Sequence, residues 1–118
     1  PAVSSLIRGL KERGLYDDTL LLVATEFGRT PKQNLTEGRD HWPHGFSVLL
    51  GGGGLRGGIT VGETDPSGEK EEPGRPIRVE DVHATILRRL GIDTSEEITT
   101  PIGRPIKVSE GRVIQELV

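Results

Sequence analysis

Cysteine is absent from this 118-residue chain, which excludes disulfides and thiolate metal sites. Any bound metal must therefore use histidine, carboxylate or backbone oxygen. Methionine is absent too, even at position 1, where Pro1 stands. No signal peptide is visible, so the expectation is an internal or processed segment. Aromatic residues are scarce, with two Phe, one Tyr and one Trp, so the core has to be aliphatic and small. Hydrophobic residues make up 32%, which is low for a self-sufficient globule. No run reaches the roughly 20 apolar residues that a membrane span needs. Net charge is −3 and the pI is about 5.6, so no basic field exists to hold nucleic acid or an anionic membrane. No internal repeat or linker divides the chain, which reads as one domain over residues 1–118.

What is present is glycine and proline, 17 and 8 residues, clustered in loops rather than repeating. Between them lie short periodic segments. Val3, Leu6, Ile7 and Leu10 recur on one helical face, with Ser4 or Ser5 placed to cap the start and Gly14 to end the helix. Residues 19–25 follow as an apolar run without alternation, the pattern of a strand buried on both faces of a parallel sheet. Further strands are expected at 46–50 and 59–61. Residues 62–76 read as a solvated loop and 77–79 as extended. Residues 80–90 form an expected helix, with Glu80 and Asp81 in its first turn, Arg88 and Arg89 in its last, and Gly91 at its end. Residues 106–108 and 113–117 suggest a terminal hairpin. Helix followed by buried strand points to the α/β class.

The chemistry-bearing residues gather in 19–44. The apolar run delivers Glu26 to a strand end, where ligands bind in open α/β sheets. Glu26 reads either as a metal ligand or general base, or as a carboxylate satisfied by Arg29. In Gly38-Arg39-Asp40-His41-Trp42, Asp40 and His41 are suitable ligands for Zn²⁺ or a similar ion. Neighbours on a strand face opposite ways, so both would share an ion only in irregular backbone. Asp40 could instead orient the imidazole from outside, or the two could form a plain surface hydrogen bond. His44 is a further candidate ligand or a residue of the Pro43 turn. Arg29 and Arg39 suit forked binding of phosphate, sulfate or carboxylate, or surface ion pairs.

Other features carry less. Gly52-x-Gly54-x-x-Gly57 formally matches a dinucleotide fingerprint, but Gly58-Ile59-Thr60-Val61 is a poor helix start and no pyrophosphate site is expected. No nucleotide is expected. His83 sits on an apolar helix face, a core or capping position first and a site residue second. Asn34-Leu35-Thr36 matches a glycosylation sequon.

The order of these blocks resembles the C-terminal half of the alkaline phosphatase/sulfatase superfamily and, more closely, the domain-of-unknown-function 1501 family. The resemblance is carried by residues 19–25 with Glu26-Phe27-Gly28-Arg29-Thr30-Pro31, by Gly38-Arg39-Asp40-His41, by residues 46–50 with the glycine run, by Gly62-Glu63-Thr64-Asp65, and by Glu80-Asp81-Val82-His83-Ala84-Thr85-Ile86-Leu87. It implies a partial alkaline-phosphatase-like α/β fold, a mostly parallel sheet flanked by helices with small β elements toward the C-terminus. It also implies a divalent metal (Zn, Ca, Mg or Mn), phosphate or sulfate ester hydrolysis on a small anionic ester, and export from the cytoplasm. In the superfamily the first strand delivers an Asp-His-Gly metal motif, and a later His precedes the next strand. Glu26 takes the Asp position, Phe27 the His, Gly28 the Gly and His41 the later His. A phenyl ring cannot coordinate metal, so a two-zinc site lacks one ligand. The nucleophile of the superfamily lies in the N-terminal half, outside this chain. A missing half or a second copy is the implied partner. Loss of chemistry with retention of fold, giving a binding or assembly module, is the alternative.

Overall fold

The computed structural model describes residues 2–68 and 76–118. The chain opens on α1 (Ala2–Glu12), closed by Gly14 in the left-handed conformation (φ 70°) with its N–H on the Lys11 carbonyl. Ser4 and Ser5 lie inside the helix rather than capping it, because Ala2 and Val3 already have helical backbone. Val3, Ile7 and Leu10 are partly covered, whereas Leu6 is half exposed.

The apolar run forms β1 (Leu20–Val23). It pairs antiparallel with β4 (Leu49–Gly52), in the register Leu20↔Gly52 to Val23↔Leu49. That second strand falls three residues later than its apolar pattern suggested. The shift comes from the glycines, which are the only residues the ladder can accept there. Gly52 has φ 68°, and a Cβ on it would lie 2.1 Å from the Thr19 carbonyl oxygen. The following Gly53 N–H donates to the Tyr16 carbonyl, and its own carbonyl accepts both Nε and Nη2 of Arg89 at 2.8 and 2.6 Å. The glycine run thus serves as a close backbone junction between the ribbon and the second helix.

That helix, α2 (Val79–Arg89), starts with Asp81 accepting the Arg78 N–H at 3.1 Å. The reach-back of a third-position carboxylate satisfies an otherwise unpaired donor. The other oxygen of Asp81 accepts the Arg112 N–H at 2.8 Å. One turn on, Thr85 donates to the Asp81 carbonyl and accepts the Ile114 N–H. Ala84 and Thr85 are fully buried and Ile114 is 7% exposed, so the tail is clasped onto this helix face and the best-covered residues lie there. His83 shares a cleft with Ile86 and Leu87 of the same helix, as expected, but it is exposed rather than a core residue.

The terminal hairpin differs from expectation. β5 (Glu97–Thr99) pairs with β6 (Pro105–Lys107), and Gln115–Leu117 is a 3-10 turn. The reason is Thr100-Pro101-Ile102-Gly103, which closes with the Gly103 N–H on the Thr100 carbonyl. Proline second and glycine fourth favour such a turn. Residues 59–61 form no strand, and Ile59 is exposed. Part of the expected 62–76 loop, residues 69–75, lies outside the described residues.

The three ladders among the described residues are all antiparallel. The β1–β4 ribbon carries apolar side chains on both faces, yet Leu22 is 45% and Val23 41% exposed, so neither face is fully covered. The chain exposes 8982 Å², against about 6,300 Å² for a compact monomer of its mass. Its radius of gyration is 17.4 Å, where about 13–14 Å is usual for this length.

Candidate functional site

Residues 26–45 are an ordered hairpin rather than an open loop. β2 (Gly28–Arg29) and β3 (His41–Trp42) pair as Gly28↔Trp42 and Arg29↔His41. The ladder is extended by the Thr30 N–H on the Asp40 carbonyl and the Asp40 N–H on the Thr30 hydroxyl. Asn34 organises the tip: its Oδ1 accepts from Thr36 N–H, the Thr36 hydroxyl and Gly38 N–H, while its Nδ2 donates to Asp40 Oδ1 at 2.7 Å. This arrangement holds Glu37 in a left-handed conformation (φ 61°). The sequence marks Asn34 only as a sequon. Its real signal is a short polar side chain four residues before a glycine in a turn-rich stretch.

Cross-strand register gives the hairpin two faces. On one, the His41 imidazole stacks on the Phe27 ring at 3.8 Å between centroids and 23° between planes. The Arg29 guanidinium lies over the same ring at 5.3 Å, and its Nη1 donates to the Arg39 carbonyl at 3.0 Å. On the other, Trp42 meets His44 edge-on at 5.3 Å. Gly28 stands there because a Cβ would lie 2.2 Å from the Gly45 carbonyl oxygen. A cleft of about 180 Å³ opens beside this face, lined among others by Trp42, His44, Thr64 and Asp65.

The expected site residues are therefore sorted rather than gathered. His41 and Arg29 share a face and are exposed. Glu26 is exposed just before β2 and engages no partner among the described residues. Asp40 is committed to Asn34, which leaves it an oriented loop carboxylate. Arg39 spends its Nη1 on the Thr30 and Pro31 carbonyls, a stitch across the hairpin. His44 belongs to the Trp42 cleft, which Arg29 also lines. His83 lines a separate cleft of about 530 Å³ with Glu80, Lys107 and Glu110. Among the described residues no three His, Asp or Glu side chains come together as a metal cage.

The family model described as "Protein of unknown function (DUF1501)" matches residues 1–118. The chain belongs to the DUF1501 family. No curated protein and no solved structure matches it. In this DUF1501 chain the Glu-Phe-Gly-Arg-Thr block builds β2 and its aromatic stack, the Gly-Arg-Asp-His block builds β3, and the Glu-Asp-Val-His-Ala-Thr block builds the clasp of α2 onto the tail. No helix among the described residues is long and apolar enough to cross a membrane.

Proposed function

We propose that this chain forms one wall of a metal-assisted phosphate or sulfate ester hydrolase with an alkaline-phosphatase-like α/β architecture. Polypeptide packed against the β1–β4 ribbon supplies the other wall. That ribbon is the observation that carries the reading. It is apolar on both faces, with Leu22, Val23 and Leu49 exposed, and the chain as a whole exposes roughly 2,700 Å² more than a compact monomer of its mass. A missing N-terminal half fits this surface, since it would extend the sheet from the β1 edge with parallel strands and cover both faces with helices. A second copy pairing edge to edge would lengthen the ribbon but leave its faces bare.

Of the donors implied for a divalent metal, Glu26 and His41 fit as part of a site: one is an exposed carboxylate without a partner among the described residues, the other an exposed imidazole. A tetrahedral zinc needs further ligands, and these have to come from the second wall. The metal would supply Lewis-acid polarisation of the ester oxygen. Arg29, on the His41 face, holds the anion, and Asp40 and Arg39 shape the hairpin that presents these groups. The family resemblance supports a location outside the cytoplasm as part of this reading. Metal content of the protein is the test. Glu26→Ala and His41→Ala are expected to lose bound ion, and unchanged stoichiometry in both would sink the assignment.

Phe27 favours a second reading, a binding or assembly module that keeps the fold without the chemistry. It predicts no ester hydrolysis over a substrate panel with added Zn²⁺, Mn²⁺, Mg²⁺ or Ca²⁺. Robust metal-dependent turnover would exclude it.

A further inference from the structure

The cleft beside Trp42 has walls of mixed chemistry. Arg29 and Trp42 reach it from the hairpin, His44 and Gly45 from the turn after β3, and Thr64 and Asp65 from a stretch distant in sequence. Its volume of about 180 Å³ is roughly the space of six waters, smaller than a drug-sized ligand fills. It admits one six-membered ring and not two. The indole of Trp42 is only partly buried, and His44 stands nearly perpendicular to it, at 74° between planes. Arg29 gives one N–H bond to the Arg39 carbonyl, and a guanidinium has further donors. Asp65 accepts the Ser67 hydroxyl, and a carboxylate accepts several hydrogen bonds at once. The Thr64 hydroxyl both donates and accepts.

The formal charges of Arg29 and Asp65 cancel. A bare anion in the cleft meets the carboxylate and a cation meets the guanidinium, so neither is favoured. The lining suits a neutral ring with hydroxyls around its rim and C–H groups on its face. Hydroxyls use donors and acceptors alike, and weakly positive C–H groups suit the negative face of an indole. We propose that this cleft binds a neutral pyranose sugar, its ring against Trp42 and its hydroxyls shared among Arg29, Thr64 and Asp65. The proposal goes beyond the ester reading and needs neither a metal nor a second wall, since every lining group belongs to this chain. Gly45 keeps the space open. A Cβ there would lie 3.5 Å from Trp42 Nε1 and 3.7 Å from the Thr64 methyl carbon, ordinary contact distances, and Gly45 is not among the glycines with positive φ. Alanine at 45 is therefore compatible with the fold, yet sets a methyl group between the indole and Thr64.

The chain has one tryptophan, so its indole N–H signal in proton NMR reports on this cleft alone. The probes are the methyl glycosides of glucose, galactose and mannose, titrated into the purified protein. With about a dozen non-hydrogen atoms at ordinary ligand efficiency, a Kd of about 1–10 mM is expected. At least one glycoside is expected to shift the indole N–H saturably in that range and to receive saturation transfer at its ring C–H protons. Gly45→Ala is expected to weaken binding at least about 5-fold by overfilling the cleft. Asp65→Asn is expected to weaken it about 3- to 10-fold and, by unbalancing Arg29, to let inorganic sulfate shift the indole signal, which it does not do in the unmodified protein. No indole shift with any of the three glycosides at about ten times the expected Kd overturns the proposal, as does full binding in Gly45→Ala. Sulfate that shifts the indole of the unmodified protein and displaces the glycoside makes the cleft an anion site and overturns it too. None of these outcomes bears on the metal reading, which uses Glu26 and His41.

Discussion

Thr85→Val removes one oxygen from the best-buried part of the chain and leaves the side-chain shape almost unchanged. The Thr85 hydroxyl donates to the Asp81 carbonyl at 2.7 Å and accepts the Ile114 N–H at 2.9 Å. Thr85 is fully buried and Ile114 is 7% exposed. The first bond is a modest loss, since a carbonyl inside a helix keeps its backbone partner. The second matters more, because valine leaves the Ile114 N–H buried with no acceptor. Stranding a buried donor costs about 1–3 kcal/mol. With about 2 kcal/mol as the central value, the tail opens roughly 30-fold more often. Amide hydrogen exchange reads this directly: protection at Ile114 is expected to fall by about that factor, while amides within β5 and β6 hold theirs. Thr85→Ser keeps the hydroxyl and is expected to retain most of the protection at Ile114. If Thr85→Val leaves Ile114 exchange within two-fold of the unmodified protein, about 0.4 kcal/mol, the hydroxyl is not what clasps the tail.

Four further outcomes follow from other hydrogen bonds of the fold. Asn34→Ala is expected to raise exchange at the Thr36 and Gly38 amides about 5- to 10-fold, as a loss of about 1 kcal/mol. Asn34→Asp, which keeps the acceptor but sets a carboxylate against Asp40, is expected to open the hairpin tip at neutral pH and less so in acid. Arg89→Lys replaces a fork on the Gly53 carbonyl with a single point donor and is expected to cost about 1 kcal/mol, read as a drop of a few degrees in Tm. The Ser95 backbone N–H first, then its hydroxyl, holds the Asp93 carboxyl below its ordinary range, with Arg88 acting in the same direction. A depressed carboxyl stabilises the fold above its unfolded pKa and loses that contribution as pH falls through the folded one. The stability gap between the protein and Asp93→Asn is therefore expected to be widest near neutral pH and to close in acid, measured by urea unfolding across that range. A gap that widens on acidification would contradict the sign.

The elements legible in the sequence are those whose signals are local. α1 and α2 have one apolar face each, and α2 also has acidic residues at its start and basic ones at its end; α2 appears within one residue of expectation at both ends, whereas α1 starts at Ala2, ahead of the cap expected at Ser4 or Ser5. The ribbon was legible as a strand but not in its pairing. Apolar periodicity says that both faces want cover; it does not say which partner runs alongside or in which direction. The glycine run moved β4 from its apolar centre, because close approach to Thr19 and Tyr16 depends on tertiary contacts no window of sequence contains. Hydrophobic pairing of residues 106–108 with 113–117 lost to a proline–glycine turn at 100–103, whose chemistry was readable. At the candidate site the residue types were visible and their commitments were not. Asp40 and Arg39 look like ligand-binding groups in sequence, and hydrogen bonds across the hairpin use them as struts.

The two features that set this chain apart from the proposed metal site have one physical origin. A two-metal site needs several charged ligands converging on a dry pocket, and such a pocket needs packed layers on both sides to exclude water. Among the described residues neither is found. Its candidate ligands stand on an exposed hairpin, and its most apolar strand is half bare. On the proposed reading, covering the ribbon and completing the ligand set would be one event, since Glu26 follows closely on the end of β1 at Val23. Phe27 suits that arrangement. A histidine in its place would add a polar ring to an exposed hairpin, whereas the phenyl ring stacks on His41. The hairpin is built locally, held by Asn34, Arg39 and the aromatic stack; on the proposed reading, metal and anion would be bound only where a second wall meets it.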